Sequence, residues 1–90
     1  LRAQDMIEEI RENNYSTIAV SAIIPGVGRF NFDARPVDVN INGNNLTVGN
    51  EDQGMCLEHI DRFVVSKDEV EDDYLFYNEE SGTDIMISIA

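Results

Sequence analysis

The chain has 90 residues, and six lysines and arginines stand against eighteen aspartates and glutamates, a formal net charge of −12. With 42% hydrophobic residues it is unlike an acidic disordered tail, yet a chain this short hides only roughly 60–65% of its unfolded surface, so one domain with one modest core spans residues 1–90. That size excludes a second catalytic domain, no apolar run approaches the ~20 residues of a membrane-spanning helix, and six cations are too few for the basic face that direct nucleic-acid binding requires.

Ala3, Met6, Ile7 and Ile10 recur at i, i+3, i+4 and i+7, with Asp5, Glu8, Glu9 and Glu12 on the other side, which predicts an amphipathic helix. Asn13-Asn14 offers a stop, because asparagine tolerates the left-handed conformation that ends helices. Leu1-Arg2-Ala3-Gln4-Asp5 runs directly into the helix pattern, which predicts no secretory leader, and the one cysteine, Cys56, cannot form an intramolecular disulfide. Both point to the cytoplasm. Asn14-Tyr15-Ser16 and Asn45-Leu46-Thr47 fit the glycosylation pattern, a match that an asparagine-rich chain also produces by chance.

After Tyr15 the period changes to 2. Ile18, Val20, Ala22 and Ile24 alternate with Thr17, Ala19, Ser21 and Ile23, which predicts a strand buried on both faces. Pro25-Gly26-Val27-Gly28 reads as a hairpin loop, after which Phe30 and Phe32 point one way and Arg29, Asn31 and Asp33 the other. Ala34-Arg35-Pro36 interrupts pairing, since proline cannot donate to a ladder. Val37, Val39 and Ile41 alternate with polar residues in a strand with one wet face. Asn42-Gly43 then signals a hairpin, and Leu46 and Val48 form the return strand before a polar loop at 49–54. From Met55 to Val65 the pattern is mixed, read as a turn of helix near 56–61 followed by a strand at 62–66. Tyr74-Leu75-Phe76-Tyr77 is a strand and 79–83 a turn around Gly82. Ile85, Ile87 and Ile89 line a last strand that, with no charge after Asp84, is expected to be paired on both edges. The expected architecture is α+β: an N-terminal helix followed by six or seven short antiparallel strands forming a curled sheet or small sandwich.

The charge is uneven. Residues 1–45 carry six acids and four bases, residues 46–90 twelve acids and two bases, so the net charges are −2 and −10. Asp68, Glu69, Glu71, Asp72, Asp73, Glu79 and Glu80 place seven acids in thirteen residues without a cation. If 68–73 and 78–83 are turns, they lie at opposite ends of the Tyr74–Tyr77 strand, making two patches roughly 13 Å apart. Three readings of these acids stay open: a solvated surface, an electrostatic surface shaped for a basic partner, and a calcium loop. The last lacks the glycine and the alternating acids of an EF-hand. Tyr74 and Tyr77 flank the acids as anchors or as core.

Cys56 and His59 are three apart and would share a helix face, but no third residue orients the imidazole, so Cys56 reads as a small buried hydrophobe and His59 as a surface residue. As zinc ligands they lack partners, and Gly26 and Gly28 lack the continuation of a phosphate loop. The expectation is a protein without catalytic activity, cofactor or bound metal.

Asp5-Met6-Ile7-Glu8-Glu9-Ile10-Arg11-Glu12-Asn13-Asn14-Tyr15-Ser16 resembles the start of small, acidic, phage-encoded anti-CRISPR inhibitors of Cas9, through Asp5, Ile7, Glu9, Ile10, the cation at Arg11, Tyr15 and the hydroxyl at Ser16. Elsewhere the chain departs from that family, with no match across 25–66 and a richer strand content. The resemblance implies a mechanism: such inhibitors present carboxylates where Cas9 reads its short DNA motif with arginines, and so imitate DNA. It carries no site residue over, because the likeness lies in the helix and not in the acidic half.

These readings lead to a small acidic protein-binding module, a DNA-mimic inhibitor of a basic nucleic-acid-handling protein such as a Cas nuclease. Its acids at 68–73 and 79–80 would stand in for phosphates, and Tyr74 or Tyr77 would be the packed anchor. The alternative is an assembly subunit that self-associates through an exposed strand edge, with Ile85–Ile89 as the candidate edge. The oligomeric state is left open.

Overall fold

The amphipathic N-terminal pattern folds as α1 (Ala3–Glu12), and its buried residues are those of the apolar stripe, Ala3, Met6, Ile7 and Ile10. The fold is taken from a computed structural model of the chain, which describes residues 1–13, 15, 17–49 and 52–89. Asp5 closes the first turn, its carboxylate accepting the Arg2 backbone N–H at 2.7 Å, a bond that holds the carboxyl below its ordinary range. The helix does not end by a left-handed asparagine. Asn13 is extended at φ −120°, and its Nδ2 donates to the Glu9 carbonyl at 2.8 Å, satisfying one of the terminal acceptors. Asn14, the other half of the expected stop, lies outside the described residues, as do Ser16 of the first glycosylation match and part of the 49–54 loop.

Among the described residues eight strands follow, rather than six or seven: β1 (Ile18–Ile24), β2 (Gly28–Ala34), β3 (Val39–Asn42), β4 (Asn45–Gly49), β5 (Gly54–Leu57), β6 (Val64–Asp68), β7 (Asp73–Asn78) and β8 (Thr83–Ile89). They form two antiparallel sheets, ordered β2-β1-β8-β7-β6 and β3-β4-β5, and neither closes into a barrel. The α+β class is as expected. The additional strand is β5, where a turn of helix was expected near 56–61. Leu57 is buried opposite Leu46, and Met55 opposite Val48, so burial against β4 overrides the chance 3.6-residue spacing of Leu57, Ile60 and Val64. A single 3₁₀ turn, Ile60–Arg62, follows, and the Ile60 N–H donates to the Asn44 carbonyl at 2.7 Å, fastening it to the β3–β4 hairpin. In that hairpin Asn42 pairs with Asn45, so the loop residues are Gly43-Asn44, with Gly43 at φ +64°. Val37 falls in a 3₁₀ turn, Pro36–Asp38, and is exposed rather than in the β3 strand.

One buried cluster joins α1, the inner face of the five-stranded sheet and the residues Val39, Leu46, Val48 and Leu57 of the smaller sheet. Ile18, Val20 and Ala22 point into it, but Ala19 and Ile23 are exposed, so β1 is buried on one face and not on both. The physical reason is layering: helix and small sheet cover one side of the five-stranded sheet and leave its other side open, as antiparallel sheets allow. Strand β8 lies between β1 and β7 and is paired on both sides. Ile85–Ile89 is therefore not an edge, which removes the candidate strand of the self-association reading. The edges of the large sheet are β2, with Arg29 and Asp33, and β6, with Lys67 and Asp68, charges that discourage edge-to-edge pairing. Among the described residues no helix is long and apolar enough to cross a membrane.

Candidate functional site

Pairing register sorts the outward residues of the five-stranded sheet into rows. Asp33, Ala19, Ser88, Asp73 and Asp68 make the row at one end of the open face, and Arg29, Ile23, Asp84, Tyr77 and Val64 the row at the other. The β6–β7 turn at 69–72 continues the first end and the β7–β8 turn at 79–82 the second. The acids thus occupy opposite ends of β7 as the sequence implies, and Asp33 and Asp84 join them from other strands. About 13 Å separates the two rows along the strands.

Asp68 and Asp73 are direct cross-strand partners. Like charges so placed cost roughly 0.2–1 kcal/mol. Asp68 also builds the turn: its Oδ1 accepts the backbone N–H of Val70 at 3.0 Å and of Glu71 at 3.4 Å. Asp72 sits at φ +55°, which aspartate tolerates, with Oδ1 4.0 Å from Lys67 Nζ. Glu69 and Glu71 are exposed. In the other turn Asn78 Oδ1 accepts the N–H of Glu80 at 3.0 Å and of Ser81 at 3.3 Å, and Ser81 Oγ donates to Thr83 Oγ1 at 2.8 Å. Neutral side chains hold that turn, and the Glu79 and Glu80 side chains project into solvent.

The two tyrosines part company. Residues three apart on a strand face opposite ways, so Tyr77 is 46% exposed on the open face while Tyr74, level with Phe76, is 3% exposed in the core. Tyr74 is therefore no surface anchor. Its hydroxyl donates to the Glu9 carboxylate, which also accepts from Lys67 Nζ at 2.8 and 3.1 Å and from the Tyr15 hydroxyl at 3.5 Å. The Lys67 ammonium lies 5.4 Å from the centre of the Tyr74 ring. This cluster ties α1 to the β6–β7 hairpin. Burial pushes the Glu9 carboxyl up, but the bonds from Lys67 and Tyr74 outweigh it and hold the group below its ordinary value of 4.5. Lys67 is pushed up by its bond to Glu9, and Tyr74 by burial and then by the same carboxylate. Sequence reasoning missed the pair because Glu9 and Lys67 lie 58 residues apart and each passes for a solvated charge. The one available signal is that Lys67 shares the inward parity of Val65.

Removing Glu9 tests this cluster. Glu9→Leu strips the buried Tyr74 hydroxyl of its acceptor and is expected to cost about 1–3 kcal/mol, read as a lower urea midpoint, whereas Glu9→Gln keeps an acceptor and loses less. Because the folded value lies below 4.5, the ionised carboxylate contributes its full stability above pH 4.5 and loses it as pH falls through the folded value. The stability gap between the native chain and Glu9→Gln is expected to close in that acidic window, and a constant gap down to acid unfolding would refute the assignment.

Cys56 is exposed on β5, not buried, because it lies opposite the outward Thr47. His59 stands beyond the strand end at φ +56°, so the two share no helix face. Among the described residues no group of three or more His, Cys, Asp or Glu side chains is placed to hold a metal ion. No family model matches the chain, and no curated protein or solved structure matches it.

Proposed function

We propose that the protein is a non-enzymatic binding module that sets the acidic ends of its open sheet face against the basic surface of a nucleic-acid-handling protein and displaces DNA from it, a Cas nuclease being the first target to test. The observation that carries this reading is the Asp68–Asp73 pair, which continues into the acidic β6–β7 turn, with the Glu79–Glu80 turn at the opposite end of β7. Facing like charges weaken the fold, while a basic partner gains from them in approach rate and in selectivity. The row of Asp33, Asp73 and Asp68 lies about 13 Å from the row of Asp84, close to the ~12 Å width of a DNA major groove, with Glu79 and Glu80 in the turn beyond. Arginines and lysines set to straddle a groove would meet carboxylates on both sides. A net charge of −12 also steers the protein toward such a surface, an effect that salt screens. The likeness of residues 5–16 points to the same class of target. Within that segment Glu9 is committed to the internal cluster, so the acids offered to the partner are those of the sheet. The reading sets the protein in the cytoplasm, where such targets work.

The test is displacement. Labelled duplex bound to a Cas9–guide RNA complex is titrated with the protein at about 0.05 M and about 0.5 M salt and followed by fluorescence anisotropy. Release of the duplex at low salt, weakened at least ~10-fold at high salt, is the expected result. No release at either salt, together with a bacterial-lysate pull-down that retains only salt-resistant proteins, overturns the reading.

A further inference from the structure

Five apolar side chains lie among polar ones across the middle and second rows of the open face, between the row of Asp33, Asp73 and Asp68 and the Glu79–Glu80 turn. Leu75 and Met86 lie opposite each other on β7 and β8, flanked by Ser66 on one side and Ser21 and Asn31 on the other, and Ile23, Tyr77 and Val64 share the second row with Arg29 and Asp84. Ile23 is 40% exposed, Tyr77 46% and Val64 67%, on strands whose inner residues already fill the core. A solvated outer face of an antiparallel sheet is commonly polar, so this set of exposed side chains stands out on it.

We infer that this apolar strip is the anchor of the interface, and that the partner is a protein surface carrying an apolar ridge between two sets of lysines and arginines. The inference deepens the proposed function and rests on it. Its geometry is that of a recognition surface in general, apolar and aromatic side chains at the centre and a charged rim around them. Five strands and three rows span roughly 24 by 20 Å, and the two turns extend that toward the ~800 Å² per partner of an ordinary specific interface. Charge selects the occupant. Asp33, Asp68, Asp73 and Asp84 stand on this face against one cation, Arg29. A second copy of the chain would bring its own aspartates and a further −12 against them. An uncharged apolar partner would strip water from the aspartates and return nothing. Only a basic rim around an apolar centre satisfies both parts of the face.

Two synthetic peptides of equal length and charge test this by amide NMR on the ¹⁵N-labelled protein: an amphipathic lysine–leucine peptide and a lysine–serine peptide. The expected result is that the leucine peptide binds at least ~10-fold tighter and shifts the amides of Ser21, Leu75 and Met86. The double variant Ile23→Thr/Tyr77→Ser then abolishes that preference while leaving the affinity for the serine peptide unchanged. If the double variant fails to fold, Val64→Thr, at the exposed edge, is expected to reduce the preference in the same way. Equal binding of both peptides, with shifts confined to the two turns, overturns the apolar anchor and leaves the acidic reading standing. Binding of neither peptide overturns both. Concentration-dependent broadening of the same face without peptide would identify a second copy as the occupant and overturn the basic partner.

Discussion

With Asp73, Glu79 and Glu80 changed together to lysine, the protein is expected to lose about 100-fold in affinity for its basic target at low salt, or about 2.7 kcal/mol, while becoming no less stable. Each of the three acids is free of structural duty. Glu79 and Glu80 project from a turn that Asn78 and Ser81 hold together. Asp73 faces Asp68 across the hairpin, so Asp73→Lys turns a like-charge pair into an opposite pair worth roughly 0.2–1 kcal/mol to the fold. Asp72 is unsuited to the test, because a cation there would stand beside Lys67, 4.0 Å away. Asp68 is unsuited too, since its carboxylate caps the turn backbone. The experiment reads affinity by anisotropy and stability by thermal melting on the same samples. Lower affinity with an equal or higher melting temperature is the signature of acids kept for a partner at the expense of the fold. Unchanged affinity in a folded triple variant would reduce the −12 charge to a property of the solvated surface.

Phe76→Ala and Tyr77→Ser, neighbours on β7, are expected to differ by several kcal/mol. Phe76 is fully buried between Val65 of β6 and Ile85 of β8 on the inner face. Truncating a buried phenylalanine costs about 3–5 kcal/mol, a large part of the roughly 5–10 kcal/mol that stabilises a domain of this size. The melting temperature is expected to fall by about 15 °C or more. Tyr77 is half-exposed on the open face, and its loss is expected to cost within about 1 kcal/mol. Urea unfolding of both variants measures the contrast. Equal losses would mean that β7 is shifted by one residue, which would turn its whole inner set outward and move Tyr74 to the surface.

Strand alternation was legible along most of the chain because each strand is half wet, and period 2 survives wherever one face meets water. It failed at β1, where Ile23 looked like a second buried face. Ile23 is instead exposed on the open face, in one row with Tyr77 and Val64. At 55–66 a helix-like spacing competed with a strand, and the pairing of Leu57 with Leu46 decided between them. The acids at 68–73 and 79–80 were legible as two separated patches because they sit in turns next to one strand. Asp33 and Asp84 were not, because nothing local says that β2 and β8 deliver them to the same face.

The amino-acid order by itself determined what depends on near neighbours: the helix and its apolar stripe, most of the turns, the α+β class and the total and uneven charge. Periodicity, turn chemistry and charge are properties of short windows, and their free energies are set within a few residues. Only the tertiary structure decided that β8 enters the sheet between β1 and β7, that Tyr74 turns inward to Glu9 and Lys67, and that Leu75, Met86, Ile23, Tyr77 and Val64 come together on the open face beside the row of Asp33, Asp73 and Asp68. Each of these joins residues far apart in the chain, and such contacts are chosen by the burial and pairing of the whole molecule rather than by any local pattern.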